Sequence, residues 1–303
     1  MSSSKIKGII VPIITPLSPS GDLDTKSLKK LVDYFIQSGV HGIWASGTTG
    51  EFANLTQEQR LQSIEKVIEY SNNKIPVIAN IACSGTQESI DFGKKIVGLN
   101  PAGIACTPPF YYLNNQSEIF NHYQYISDKL NTQLWVYNIP STVKNEILPS
   151  TTLRLAKEQT IIGIKDSSGS LENIANLSIS VKRNNIKMNL FIGSTFMTSL
   201  TEGILVDGVI PGLGNLIPKS FAKAWENGLS QEYAPVKKYQ DEIVKATTIM
   251  NFGKNESVNG IACIKAGLKH LRIIESDKMT NPFETLSNNE KEKMRSLIND
   301  LLI

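Results

Sequence analysis

The sequence predicts an α/β protein, a (β/α)₈ TIM barrel with a C-terminal helical extension, on three observations. Eight short runs rich in β-branched and apolar residues recur along the chain, at 8–15, 39–46, 75–81, 103–107, 134–138, 161–165, 190–193 and 208–210. Each is apolar almost without a break rather than alternating, the pattern of strands covered on both faces in a parallel sheet. Amphipathic segments separate the runs without a reversal of order, which favours a closed barrel over an open doubly wound sheet.

The helices follow in order from their start signals. Asp24 precedes the periodic stretch SLKKLVDYFIQSG, which stops at Gly39. Thr56-Gln57-Glu58-Gln59 has the form of a capping box ahead of LQSIEKVIEY. Thr86 is expected to cap QESIDFGKKIVG and Ser150 to cap TTLRLAKE. Such a barrel needs about 250 residues, so a chain of 303 leaves a surplus. The surplus lies at the end, where 233–250, 258–270 and 287–302 carry helical patterning, the last with a Ser287…Glu290 capping box. The expected organisation is a barrel over 1–230 and a helical extension over 231–303 packed on it.

Composition narrows the function. Hydrophobic residues make up 41% and charged residues 19%, which fits a globular core rather than a disordered chain. The formal charge of +3 is dispersed among acids, as in Glu65-Lys66, so no nucleic-acid footprint is expected. Cys83, Cys106 and Cys263 are odd in number and lack CxxC spacing, which argues against a disulfide framework or a zinc site. The opening MSSSKIKG lacks the features of a secretory leader, and no apolar run reaches the ~18 residues needed to span a bilayer. A soluble, cytoplasmic protein with no membrane partner is expected. His41, His122 and His270 share no ligand spacing, so neither a metal nor another cofactor is expected.

Barrel enzymes carry their reactive groups at the C-terminal ends of the strands, which makes the polar residues closing each run the candidates. The second run closes with Ser46-Gly47-Thr48-Thr49-Gly50-Glu51, a turn whose backbone N–H groups can converge on a small anion, or an ordinary βα turn. The fourth closes with Thr107-Pro108-Pro109-Phe110-Tyr111-Tyr112, a rigid aromatic loop suited to packing or a subunit contact. The fifth closes with Tyr137-Asn138-Ile139-Pro140. The sixth closes with Gly163-Ile164-Lys165-Asp166-Ser167-Ser168-Gly169, and Lys165 ends a run that should be buried. Lysine is rarely buried unless paired or functional. Desolvation disfavours the charged form of an amine and exposes a nucleophile. The competing reading sets Lys165 beyond the rim, in water. Asp166 should face away from Lys165 and is read as structural. The eighth run leads into Gly208-Val209-Ile210-Pro211-Gly212-Leu213-Gly214-Asn215, a turn with no nearby cation to hold a phosphate.

GTTGE, TPPFYY, YNIP, GIKDSSG and DGVIPGLGN occur in this order, each at an expected strand end. In these motifs the chain resembles the N-acetylneuraminate lyase/dihydrodipicolinate synthase family of Schiff-base aldolases, from about Lys7 to the C-terminal helices. The resemblance implies that Lys165 attacks the C2 carbonyl of pyruvate or a longer 2-keto acid. It implies that the Tyr137 hydroxyl shuttles protons, and that Thr49 relays between Tyr137 and Tyr111 of a neighbouring subunit. Backbone N–H groups of Thr48 and Thr49 would hold the keto-acid carboxylate, and Gly193 and Ile210 would line the pocket. A tyrosine donated across an interface implies a homotetramer built from tight dimers.

Departures from the family pattern narrow the substrate. Dihydrodipicolinate synthases usually carry an arginine where Thr142 stands here, and loss of that bidentate clamp would cost a dicarboxylate about 1.5–3 kcal/mol. Lys144 lies nearby but lacks the planar fork. Sialic-acid lyases resemble the chain in YNIP, yet carry an acidic pair where Gly193-Ser194-Thr195-Phe196 stands. The remaining branch cleaves 2-keto-3-deoxy sugar acids to pyruvate and an aldehyde such as glyceraldehyde. Thr142, Ser194 and Thr195 offer hydroxyls to a polyol tail. Arg60, Arg154, Arg183, Arg272 and Arg295 all fall on expected helices away from the strand ends, which favours a non-phosphorylated substrate. Dihydrodipicolinate synthase, joining pyruvate to aspartate semialdehyde, is the rival within the fold; a non-catalytic keto-acid-binding barrel is the rival outside it.

Overall fold

The eight apolar runs form eight parallel strands that close on themselves in sequence order, β8 pairing with β1. They are β1 (Gly8–Pro12), β2 (Gly42–Ala45), β3 (Val77–Asn80), β4 (Gly103–Cys106), β5 (Leu134–Asn138), β6 (Ile161–Asp166), β7 (Asn189–Ile192) and β8 (Gly208–Val209). The computed structural model describes residues 6–195 and 206–302. Phe196, at the end of the seventh loop's motif, lies outside them. Helices alternate with the strands: α1 (Thr25–Gln37), α2 (Gln57–Ser71), α3 (Thr86–Val97), α4 (Gln116–Leu130), the single turn α5 (Pro140–Val143), α6 (Pro149–Lys157) and α7 (Leu171–Arg183). After β8 come α8 (Pro218–Leu229), α9 (Tyr233–Thr247), α10 (Asn259–His270) and α11 (Asn288–Leu302). No helix among the described residues is long and apolar enough to cross a membrane.

Side chains of a strand alternate between its faces, so the closed sheet has two cores. The outer one joins sheet to helices. The inward stripe of α1, for example, is Leu28, Leu31, Val32 and Phe35 at helical spacing, all fully buried; each such burial contributes about 1.5–3 kcal/mol. The inner core fills the barrel with Ile10, Trp44, Ile78, Trp135, Tyr137 and Phe191. Its aromatic bulk is accommodated by glycine on the neighbouring strand: a Cβ at Gly163 would sit 2.8 Å from the Trp135 ring.

Local start signals were legible where the partner is local. Asp24 accepts from the Ser27 N–H, Thr56 and Gln59 form the expected capping box, and Ser287 and Glu290 do so at α11. Two expected caps are corrected. Thr86 is the first residue of α3 rather than its cap, and its hydroxyl bonds His122 Nδ1 at 2.9 Å. Ser150 lies inside α6, because Pro149 occupies the first turn, where its missing N–H costs nothing.

Candidate active site

Strands β5 and β6 lie side by side in a register that pairs Tyr137 with Lys165. Paired residues on neighbouring strands share a face, so both enter the barrel. Lys165 is 4% exposed, and its Nζ lies 4.1 Å from the centroid of the Tyr137 ring and 5.2 Å from that of Trp44. Among the described residues, no carboxylate lies within ion-pair distance of that nitrogen. Asp166, one residue on, takes the other face as expected. Its buried carboxylate accepts from Asn138 Nδ2 at 2.7 Å and from the Ser168 hydroxyl at 2.6 Å. From the next strand, Phe191 pairs with Lys165, and Gly193 follows. A Cβ at Gly193 would collide with Ser167 Oγ and come within 3.1 Å of Lys165 Cε, so glycine leaves the lysine its room. Ile210, after β8, is buried in the same inner core.

The turn after β2 supplies the hydroxyl. Thr48 Oγ1 lies 3.0 Å from Tyr137 Oη, either atom serving as donor. This corrects the expectation that Thr49 makes the relay contact. Adjacent residues of the turn project differently, and Thr49 Oγ1 instead faces Gly212. The turn closes through Gly50 N–H to the Gly47 carbonyl at 3.0 Å and Glu51 N–H to the Thr48 carbonyl at 2.9 Å. Among the described residues the N–H groups of Thr48 and Thr49 donate to no protein acceptor, the arrangement that suits a bound anion.

Tyr111 is 87% exposed in the loop after β4, its ring against Tyr112, and within the chain it does not join the Tyr137–Thr48 pair. Thr142 sits on α5, exposed at the mouth of a cavity of about 650 Å³. Thr48, Asn54, Ser141, Lys144 and Ser257 share its walls; Thr48 is where the cavity meets the Tyr137 pair. Ser194 and Thr195 line a separate recess of about 270 Å³ beside Ser167 and Ser170, so the expected pooling with Thr142 in one subsite is not reproduced.

Several residues escaped the sequence reading. Arg60 was expected to lie away from the strand ends. It does start from α2, but its buried guanidinium donates to Ser46 Oγ at 3.2 Å and to the Asn80 carbonyl at 3.1 Å, beneath the ends of β2 and β3. Asn145 donates to the Pro109 and Tyr112 carbonyls at 2.8 Å each, tying the aromatic loop to the α5 loop. Glu51 and Lys265 form an ion pair with both side chains fully buried. A polar residue at the end of an apolar run was the available signal for Asn138 and Glu51; for Lys265 there was none. Burial pushes His122 down to about 4, and it sits neutral between the Thr86 hydroxyl and the Thr107 carbonyl. Among the described residues no group of three or more His, Cys, Asp or Glu side chains is arranged to hold a metal ion.

Comparison with known proteins shows the family to which the chain belongs. Residues 5–301 match the model of the dihydrodipicolinate synthetase family. The chain is 31% identical to the 4-hydroxy-tetrahydrodipicolinate synthase of Buchnera aphidicola subsp. Cinara cedri, over 97% of this chain and 96% of that one. It is 30% identical to the enzyme of the same name from Pseudoalteromonas atlantica, over 89% and 93%. Among solved structures it superimposes on the chloride-inhibited dihydrodipicolinate synthase of Acinetobacter baumannii complexed with pyruvate. That match has a TM-score of 0.88 and 28% identity, covering 98% of this chain and 99% of that one.

Proposed function

Because the chain belongs to the dihydrodipicolinate synthetase family and is a pyruvate-dependent Schiff-base carbon–carbon lyase, we infer that Lys165 carries the imine. We infer further that the second substrate is a hydroxy-aldehyde. The observation that carries the first inference is a buried amine with aromatic faces around it and, among the described residues, no counter-ion, on the same inner face as the Tyr137 hydroxyl. Lys165 Nζ adds to C2 of the 2-keto acid, water leaves, and the resulting iminium draws electrons from the bond at C3. Loss of a C3 proton, or cleavage of C3–C4, gives an enamine. Tyr137 moves the protons and Thr48 passes them on, while the Thr48 and Thr49 N–H groups hold the carboxylate. A neighbouring copy in a homotetramer supplies Tyr111 to that relay, which accounts for its exposure within one chain.

The neutral Thr142 at the cavity mouth supports the substrate. With hydroxyls of Thr48, Ser141, Thr142 and Ser257 on its walls, the cavity suits the polyol tail of a 2-keto-3-deoxy sugar acid, non-phosphorylated, cleaved reversibly to pyruvate and glyceraldehyde. The rival reading, condensation of pyruvate with aspartate semialdehyde, draws on the names of the relatives and on Lys144 as a cation near the arginine's usual place. Purified protein incubated with pyruvate and each aldehyde in turn separates them. Turnover with glyceraldehyde is expected; turnover with aspartate semialdehyde alone assigns the rival. Borohydride reduction in the presence of pyruvate, followed by peptide mass mapping, is expected to mark Lys165.

A further inference from the structure

The chemistry above makes no use of Glu51 and Lys265, yet no other ion pair among the described residues has both side chains at 0% exposure. Glu51 closes the turn that carries Thr48 and Thr49; Lys265 lies in the middle of α10. The pair does not stand alone. Glu51 Oε2 accepts from the backbone N–H and from the hydroxyl of Thr280, both at 2.8 Å. Lys265 Nζ also donates to the Lys278 carbonyl at 2.8 Å. One carboxylate therefore joins the turn after β2 to α10 and to the segment around residue 280.

The turn so held is one the chain would not adopt unaided. Ser46 has φ of 56° and Glu51 φ of 59°, both in the left-handed region although neither is glycine. They bracket the two threonines. Non-glycine residues keep this conformation only where their surroundings over-determine it. At Glu51 the surroundings are the ammonium of Lys265 and the two donors of Thr280. A buried ion pair is an expensive way to add stability, since apolar residues of similar volume serve as well or better. Its place at the end of this turn calls for another reason. The same C-terminal stretch also supplies Ser257, Val258, Ile261 and Phe283 to the cavity wall.

We propose that Glu51 and Lys265 are positioning residues. The pair fixes the left-handed end of the Thr48–Thr49 turn, so that two N–H groups meet the keto-acid carboxylate while the Thr48 hydroxyl stays on Tyr137. The C-terminal extension is thereby part of the substrate-binding machinery rather than a passive covering. The proposal rests on the assignment of the carboxylate to the Thr48–Thr49 turn.

The test compares Glu51→Gln, Lys265→Met and the double variant with the wild type. Glu51→Gln keeps the acceptor for Thr280 and removes the charge; Lys265→Met keeps the stem. Two quantities are read: KM for pyruvate, and the pyruvate concentration that half-saturates borohydride trapping on Lys165. Both are expected to rise about tenfold or more in each variant. Neither depends on the fraction of protein that folds, so a purely structural role would lower melting temperature and apparent kcat while leaving both unchanged. The double variant has no uncompensated buried charge; it is expected to melt closer to the wild type than either single variant and still to bind pyruvate weakly. Folded variants that saturate at the wild-type pyruvate concentration would overturn the proposal alone. A wild-type protein that traps no pyruvate on Lys165 would remove the Schiff-base assignment itself, and this proposal with it.

Discussion

Among the described residues two lysines are buried, and their surroundings are opposite. Lys265, inside α10, meets the Glu51 carboxylate and the Lys278 carbonyl, with no exposure of its side chain. Lys165, at the end of β6, has the faces of Tyr137 and Trp44 and, among the described residues, no carboxylate. The Lys265–Glu51 pair is buried together, so removing either partner strands a charge in a low-dielectric interior. Lys165 lacks such a partner among the described residues and is the proposed nucleophile. The same residue type is therefore proposed to hold a turn in one place and to react in the other, and the counter-ion separates the two.

The sharpest way to break this comparison is to replace each lysine and read both activity and stability. Lys165→Met is expected to lower turnover at least ~1,000-fold, since it removes the nucleophile. Its midpoint in urea should stay level or rise, as is common where function has kept an unpaired polar group. Tyr137→Phe should leave the pyruvate adduct on Lys165 intact while turnover falls by about 100- to 10,000-fold; unchanged turnover would remove its proton-transfer role. Lys265→Ala should cost about 3–5 kcal/mol in urea unfolding, because the Glu51 carboxylate loses its buried counter-charge, and should also raise KM for pyruvate as Lys265→Met does. A smaller effect tests the same rule on a third base. The ring of His122, pushed down to about 4 by burial, stays neutral while an unfolded chain takes up a proton near the ordinary 6.5. Its contribution is complete above that value and is lost as pH falls through the window, amounting to about 3 kcal/mol near pH 4. His122→Gln should flatten unfolding free energy over that range.

Most of the barrel was legible because its signals are local. Strand runs, the Asp24 and Thr56 caps and the Ser287–Glu290 box depend on residues within a few positions of one another. The candidate site was legible in part. Lys165 and Tyr137 stood out as polar groups closing apolar runs, and the β5–β6 register brings them onto one face. Thr48 and Thr49 are indistinguishable in sequence, and only the path of the turn sends the Thr48 hydroxyl to Tyr137. Thr86 misled for a related reason: its hydroxyl, suited to a cap, is taken by a histidine 36 positions away. Arg60 shows the converse, a residue assigned to the right helix whose length carries its charge to the strand ends.

By itself the sequence determined the order of eight strands, the helices between them and the two candidate side chains, because periodicity, caps and a lysine in an apolar run are written in neighbouring residues. Tertiary structure alone decided which threonine meets Tyr137 and what the C-terminal helices do. Glu51 and Thr280 are 229 positions apart, and no local pattern records that a carboxylate at one site satisfies donors at the other. Such contacts exist only once the barrel has closed and brought α10 over its rim, when each buried charge must find a partner or be put to use.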